Sequence, residues 1–346
     1  MFTQPDTAEL AVFFLSARAK FEEAAHASGL ETCLVRVADR LIRLHFAGSA
    51  LKPHVTRALQ HNAVAAEGRA AFTIHLWDAE STGVFFPAAP WRHGGFVRRG
   101  EIEGLHSDRI HVALEAGFGG CSLLDEGRDE AIFFTPSWRT VPYYDSAAPL
   151  RSILSWWLTR RGLQLVHGGA VGIDGAGVLL AGKGGSGKST TALLCLEDGM
   201  SYASDDYSVL QLEPGPRAFG LYNSAKIRLE DLARFPHLFA NAQSNRGDEK
   251  RHLFVAEHHP ERVASHLALR AILLPRVIGC GTTRLAPAAP AAALMALAPS
   301  TIFQLPGAGS AAFEFLSRLV RALPAYALEL GQSTGDVAPA IRRFLS

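Results

Sequence analysis

The chain has 346 residues, 48% of them apolar and 19% charged, so at roughly 150 residues per domain it suggests two domains, each able to bury a core. A disordered tail or mini-protein is excluded. Lys and Arg total 34 against 33 Asp and Glu; the electrostatic footprint of a duplex-DNA or anionic-membrane binder is absent, and neither nucleic acid nor a membrane is an expected partner. Cys33, Cys121, Cys195 and Cys280 are far apart with no CxxC pair, which fits reduced thiols serving as small core residues of a cytoplasmic protein. The start has no basic region before its brief apolar run, and no stretch reaches the roughly 18 to 20 apolar residues that cross a bilayer, so a soluble protein is expected.

Along the chain, Leu10, Phe13, Phe14, Ala17, Phe21, Ala24 and Ala25 recur at helical spacing and predict an amphipathic helix over 8–28, closed near Gly29. The period then changes to two. Cys33, Val35 and Val37 alternate with polar neighbours, Asp39 lies near a turn and 41–46 continues apolar, which predicts a hairpin. A helix is expected from Leu51 to His61, and strands over 71–77, 109–114 and 131–134, with Gly- and Pro-containing turns such as 87–95 between them. Residues 1–145 thus read as a β-rich α+β domain. A boundary is expected near Asp145, where Ser146 and Pro149 open a helix whose stripe is Leu150, Ile153, Leu154, Trp157 and Leu158, with Gly162 as its stop. Trp156 and Trp157 lie on or beside that stripe and read as core rather than as a ligand platform.

From Gly177 the chain reads GVLLAGKGGSGKSTTALLCL, a short apolar strand over 178–181 running through glycines into an apolar-periodic helix. Residues Gly182, Lys183, Gly184, Gly185, Ser186, Gly187, Lys188 and Ser189 fit GxxxxGK[ST], the P-loop pattern, and Thr190 follows. Backbone N–H groups must face phosphates with no Cβ in the way, which calls for glycines at a helix N-terminus. Lys188 is placed to reach the β- and γ-phosphates and Ser189 to offer a hydroxyl to Mg²⁺. With 32 Gly, six Lys and 38 Ser plus Thr, random order would produce the pattern in roughly one such chain in two hundred. Nucleotide binding is therefore the strongest functional expectation, with ATP and Mg²⁺ as the expected cofactors. No NKxD or TKxD guanine-reading motif is present.

Residues 200–206 read MSYASDD and place Asp205 and Asp206 at the end of a short predicted strand, 17 and 18 positions after Lys188. Neighbours on a strand point to opposite faces, so one acid is expected to bind metal and the other to receive a proton. Upstream, Val166-His167-Gly168-Gly169 leads into two apolar runs separated by Asp174-Gly175, a two-residue hairpin signal. The P-loop strand is then antiparallel to its predecessor, unlike the parallel sheets of common GTPases.

At His167-Gly168, the hairpin, the loop through Lys188 and Ser189, and Ser204-Asp205-Asp206, the sequence resembles the catalytic domain of HPr kinase/phosphorylase and its relatives. The close resemblance covers residues 167–209. It implies an α/β P-loop domain with a phosphoenolpyruvate-carboxykinase-like mixed sheet over 146–346, preceded by the smaller domain over 1–145 that would recognise the acceptor or a partner. It also implies ATP-dependent phosphorylation of a serine hydroxyl of a protein or peptide. Asp205 would be the general base, Asp206 and Ser189 would attend Mg²⁺, Lys188 would stabilise phosphate charge, and His167 would lie beside the transferring group. The family's kinases are oligomers, so a homo-oligomer is compatible with the resemblance. Its Glu-x-Arg-Gly-x-Gly signature is not found; the corresponding stretch, 220–228, reads GLYNSAKIR. Lys226, Arg228, Lys250 and Arg251 are the candidates for the missing positive charge.

The polar segment from Asn241 to Arg251 reads as a loop able to close over an acceptor. Further on, a strand is expected over 269–278, with Pro275 marking an edge or bulge, then helices over 291–297 and 311–322, a strand over 326–330 and a closing helix over 337–345. Two other functions stay open from the sequence: a non-catalytic ATP-binding sensor, and a phosphotransferase acting on a small molecule.

Overall fold

The computed structural model describes residues 6–65, 68–88, 96–98, 100–102, 105, 107–115, 117–238, 250–307 and 309–346. The chain folds into two compact units, residues 1–161 with 305–307, and residues 162–304 with 308–346. Each has its own mixed sheet.

The first unit opens with the helix Thr7–Ser28, whose N-terminus is closed by a capping box between Asp6 and Glu9 and whose end is Gly29 at φ +84°. The eight strands are β1 (Leu30–Val37), β2 (Arg40–Ala47), β3 (Phe72–Asp78), β4 (Phe96–Arg98), β5 (Glu101–Ile102), β6 (Ile110–Glu115), β7 (Gly120–Asp125) and β8 (Glu130–Thr135). They lie in the order β1-β2-β3-β8-β7-β6-β5-β4. The expected hairpin is β1–β2, turned by Ala38 and Asp39, both at positive φ as a tight two-residue turn requires. The helical stripe Leu10, Phe13, Phe14, Ala17, Phe21 and Ala24 is buried against Trp77, Ile132 and Phe134 of the sheet, each large side chain contributing roughly 1.5–3 kcal/mol. Strand β7 was not expected, because its side chains are buried on both faces and leave no alternation to read.

The division between the units falls after Arg161, not near Asp145, because the helix Arg151–Thr159 packs into the first unit. Trp157 stacks on Phe72 at 4.7 Å between ring centroids, and its indole N–H donates to Asp129 at 3.2 Å. Trp156 is buried beside His111. Both tryptophans are core residues, as their place on the helix suggested. Cysteines 121 and 195 are buried, Cys33 is half-buried, and Cys280 is exposed; the expectation of a core residue fails for Cys280, which sits between the positive-φ glycines Gly279 and Gly281.

The second unit contains β9 (Leu163–His167), β10 (Gly169–Ile173), β11 (Ala176–Leu180), the helix Lys188–Glu197, β12 (Ser201–Ser204), β13 (Tyr207–Gln211), β14 (Arg217–Gly220), β15 (Ser224–Arg228), β16 (Lys250–Phe254), β17 (His266–Val277), β18 (Arg284–Ala288), the helices Pro290–Gln304 and Gly309–Ala322, β19 (Ala325–Leu330) and the helix Val337–Leu345. The main path is β12-β10-β11-β17-β14-β13-β9, with β19 beside β17 and β18 beside β19; β15 and β16 form a separate ribbon. Strands β10 and β11 are the expected antiparallel hairpin, with Asp174 and Gly175 at positive φ in its turn. One face of the sheet is covered by the helix Lys188–Glu197, the ribbon and the last helix. The other is covered by the helices 290–304 and 309–322. The fold is thus mixed α/β, as expected.

Strand β17 runs parallel to both β11 and β19. Pro275 stands past Leu273, the last residue paired with β11, and its missing N–H therefore breaks no ladder bond on that side. Among the described residues no helix is long and apolar enough to cross a membrane.

Candidate active site

The glycine loop begins where β11 ends. The Ala181 N–H still donates to the Leu273 carbonyl at 2.9 Å, and the chain then bends through glycines into the helix that starts at Lys188. Gly182 has φ +156° and Gly187 +104°; a Cβ on the first would lie 2.6 Å from Ser186 Oγ, and on the second 2.7 Å from Leu330 Cδ1. Neither position accepts another residue without displacement. Lys183, Gly184 and Gly185 are exposed at the crest of the loop, while Ser189 and Thr190 lie in the first helical turn.

Lys188 is buried, and its ammonium donates to the carbonyls of Gly182 at 2.5 Å and Lys183 at 3.3 Å. Burial lowers its pKa, the carboxylates of Asp206 and Asp205 oppose the shift, and the charge of Lys250 adds to it. The lysine is therefore within the field of both acids. It curls over its own loop, the place where phosphates carrying β- and γ-oxygens would compete for its protons.

Asp205 and Asp206 follow β12 in the bend before β13, so the extended strand expected there stops at Ser204. The two side chains diverge all the same. Asp205 is 1% exposed; its Oδ2 accepts the Lys226 backbone N–H at 3.0 Å, and its Oδ1 is buried without a hydrogen-bond partner. Burial, and then the negative charge of Asp206, push its pKa up to about 6, while Lys226 and the Ser189 hydroxyl pull the other way.

The side chain of Asp206 is 26% exposed, and its Oδ2 accepts from Lys226 Nζ at 2.7 Å. Its Oδ1 lies 2.9 Å from His167 Nε2. Burial works against its charge, but Lys226 and His167 together outweigh burial and hold the carboxyl well below the usual range. His167 is the last residue of β9, paired across the ladder with Tyr207, and its backbone N–H donates to Thr301 Oγ1 at 3.2 Å. Four separate elements thus meet: the glycine loop, the bend after β12, the end of β9 and the ribbon.

The ribbon is the part that sequence reasoning placed least well. Its register sets Lys226 opposite His252 and Arg228 opposite Lys250 on one face, and Ile227 opposite Arg251 on the other. Ala225, Ile227 and Leu253 bury the second face in the core. Of the four cations named as candidates for missing charge, Lys226 joins the acid pair, Arg228 and Lys250 share its face, and Arg251 does not. The alternating Ala-Lys-Ile-Arg run carried this signal, but its partner strand lies beyond a segment of more than twenty residues. Within the loop expected from Asn241 to Arg251, residues 241–249 lie outside the described residues.

Among the described residues no group of three or more His, Cys, Asp or Glu side chains gathers as a metal cage. Mg²⁺ bound with a nucleotide needs none, since one or two carboxylates complete a shell made mostly of phosphate oxygens and water. The unpartnered Asp205 Oδ1 and the neighbouring Ser189 hydroxyl fit that requirement.

No family model matches the chain, and no curated protein matches it. Among solved structures, the Hpr(Ser) kinase/phosphatase from Coxiella burnetii aligns over 48% of this chain and 86% of its own, at 13% identity and a TM-score of 0.25. A likeness of that size carries no argument about this chain.

Proposed function

We propose that the chain is a Mg²⁺- and ATP-dependent phosphotransferase that moves the γ-phosphoryl group to a hydroxyl, with a serine of a protein or peptide as the acceptor. One observation carries the reading: Asp206, held between His167 and Lys226, stands beside a glycine loop whose lysine feels its charge. A nucleotide-binding loop alone would suit a sensor. A fixed, partly exposed carboxylate next to it suits chemistry on an incoming hydroxyl.

The geometry favours exchanging the two acid roles that the resemblance implied. An acceptor hydroxyl has to touch its base, and Asp206 is the more exposed of the two acids. In this reading Asp206 takes the hydroxyl proton as that oxygen bonds to the γ-phosphorus and the bond to the β,γ-bridging oxygen breaks, releasing ADP. His167 and Lys226 position its carboxylate. Lys188 and the loop N–H groups neutralise charge on the transferring group, which is most of what phosphoryl transfer asks of a protein. Asp205 and Ser189 would hold Mg²⁺, which when bound bridges and neutralises phosphate oxygens.

The test compares Asp206→Asn with Asp205→Asn in transfer from labelled MgATP. The first is expected to lose transfer with MgATP affinity nearly intact; the second is expected to raise the Mg²⁺ concentration needed for activity. Retained transfer in Asp206→Asn would overturn the assignment.

A further inference from the structure

We propose that Arg228 is a phosphate-reading residue of the nucleotide site, one that distinguishes ATP from ADP by binding the γ-phosphate; this rests on the phosphotransferase reading above. Three observations converge on it. First, the β15–β16 register puts Arg228 directly across from Lys250. Like charges in opposed positions destabilise a ribbon unless an anion lies between or above them. Second, the guanidinium reaches the P-loop: its Nη2 lies 3.3 Å from the point a Cβ on Gly185 would occupy, at the exposed crest of the loop. Any side chain at Gly185 would crowd that approach.

Third, two further cations stand near the loop. Lys250 is close enough to Lys188 for its charge to lower that lysine's proton affinity, so Lys188, Lys250 and Arg228 gather around one loop. Among the described residues Arg228 forms one ion pair, with Glu230 at 3.2 Å, and both side chains are largely exposed, at 52% and 70%. Such a pair is weak and readily exchanged. A terminal phosphate offers the planar guanidinium two parallel charge-assisted hydrogen bonds instead.

The chemistry therefore separates this residue from Lys188. Lys188 belongs to the loop and contacts its carbonyls from within, whereas Arg228 approaches from a different element. Loss of Arg228 should weaken binding of a nucleoside triphosphate and spare the diphosphate. A merely structural role in bracing the loop would weaken both alike.

The experiment measures equilibrium affinity for MgATP and MgADP in the full-length wild type, Arg228→Ala and Arg228→Lys, with phosphate transfer recorded on the same preparations. Arg228 sits on an exposed polar face, so both variants are expected to fold. In Arg228→Ala the MgATP affinity is expected to fall about tenfold or more while the MgADP affinity stays within about threefold, and Arg228→Lys should recover part of the loss. An unchanged ATP-to-ADP ratio, or an equal loss for both, overturns the proposal. A ratio that depends on Arg228 in a protein that transfers no phosphate would sink the phosphotransferase reading and leave this one standing. Transfer with an unchanged ratio would do the reverse.

Discussion

Both oxygens of Asp206 are engaged by cationic or proton-bearing partners, while Asp205 Oδ1 is buried with no hydrogen-bond partner. Adjacent carboxylates thus meet opposite environments, and the split is what an acid–base or metal-and-base pair requires. Lys226 is the shared support, because its backbone N–H holds one acid and its side chain holds the other. Truncation to Lys226→Met keeps the first contact and removes the second. It is expected to reduce transfer about tenfold to a hundredfold, with MgATP affinity within a few fold of wild type. A loss of nucleotide affinity as large as the loss of turnover would contradict a positioning role. His167 was legible as a candidate from its neighbourhood in the sequence, but its contact with Asp206 spans 39 positions and needed the β9–β13 ladder to create it.

At the scale of elements, the glycine loop and its hairpin were legible because local rules write them: glycines at positive φ, an Asp-Gly turn, and a helix that follows at once. The ribbon was not, because pairing across a long connection leaves no local trace. Strand β7 and the helix Arg151–Thr159 show two other limits. A strand buried on both faces loses its period, and an amphipathic helix does not reveal which sheet it will cover.

Strand β3 of the first unit carries a buried histidine whose protonation sets a pH dependence. His75 of β3 is 1% exposed, and neither ring nitrogen has a hydrogen-bond partner. Burial lowers its pKa to about 2, with Arg18 and His45 adding to the effect. The unfolded chain therefore binds a proton near pH 6.5 that the folded chain refuses. Stability from this group is complete above pH 6.5 and is lost as pH falls from there toward 2, at up to about 1.4 kcal/mol per pH unit. Denaturant titrations between pH 7 and pH 5 should show this slope in the wild type and a shallower one in His75→Phe. Equal slopes would contradict it.

Across the whole molecule, two units with separate cores put the glycine loop and both acids in the second. A ligand bound only by the folded state stabilises by mass action, about 2.7 kcal/mol at a concentration one hundred times its Kd. MgATP should accordingly raise the thermal midpoint by several degrees. Hydrogen exchange should slow around residues 181–197, 204–208 and 224–228. Protection confined to the first unit would place the nucleotide elsewhere. Composition gave no sign of which unit the helix 151–159 would join.

The most direct test is transfer of label from γ-labelled MgATP into a size-fractionated lysate of the source organism, using the wild type and Asp206→Asn side by side. Label is expected in a protein or peptide fraction with the wild type and none with the variant. Equal labelling by both proteins, or tight MgATP binding with no label in any fraction, would contradict it.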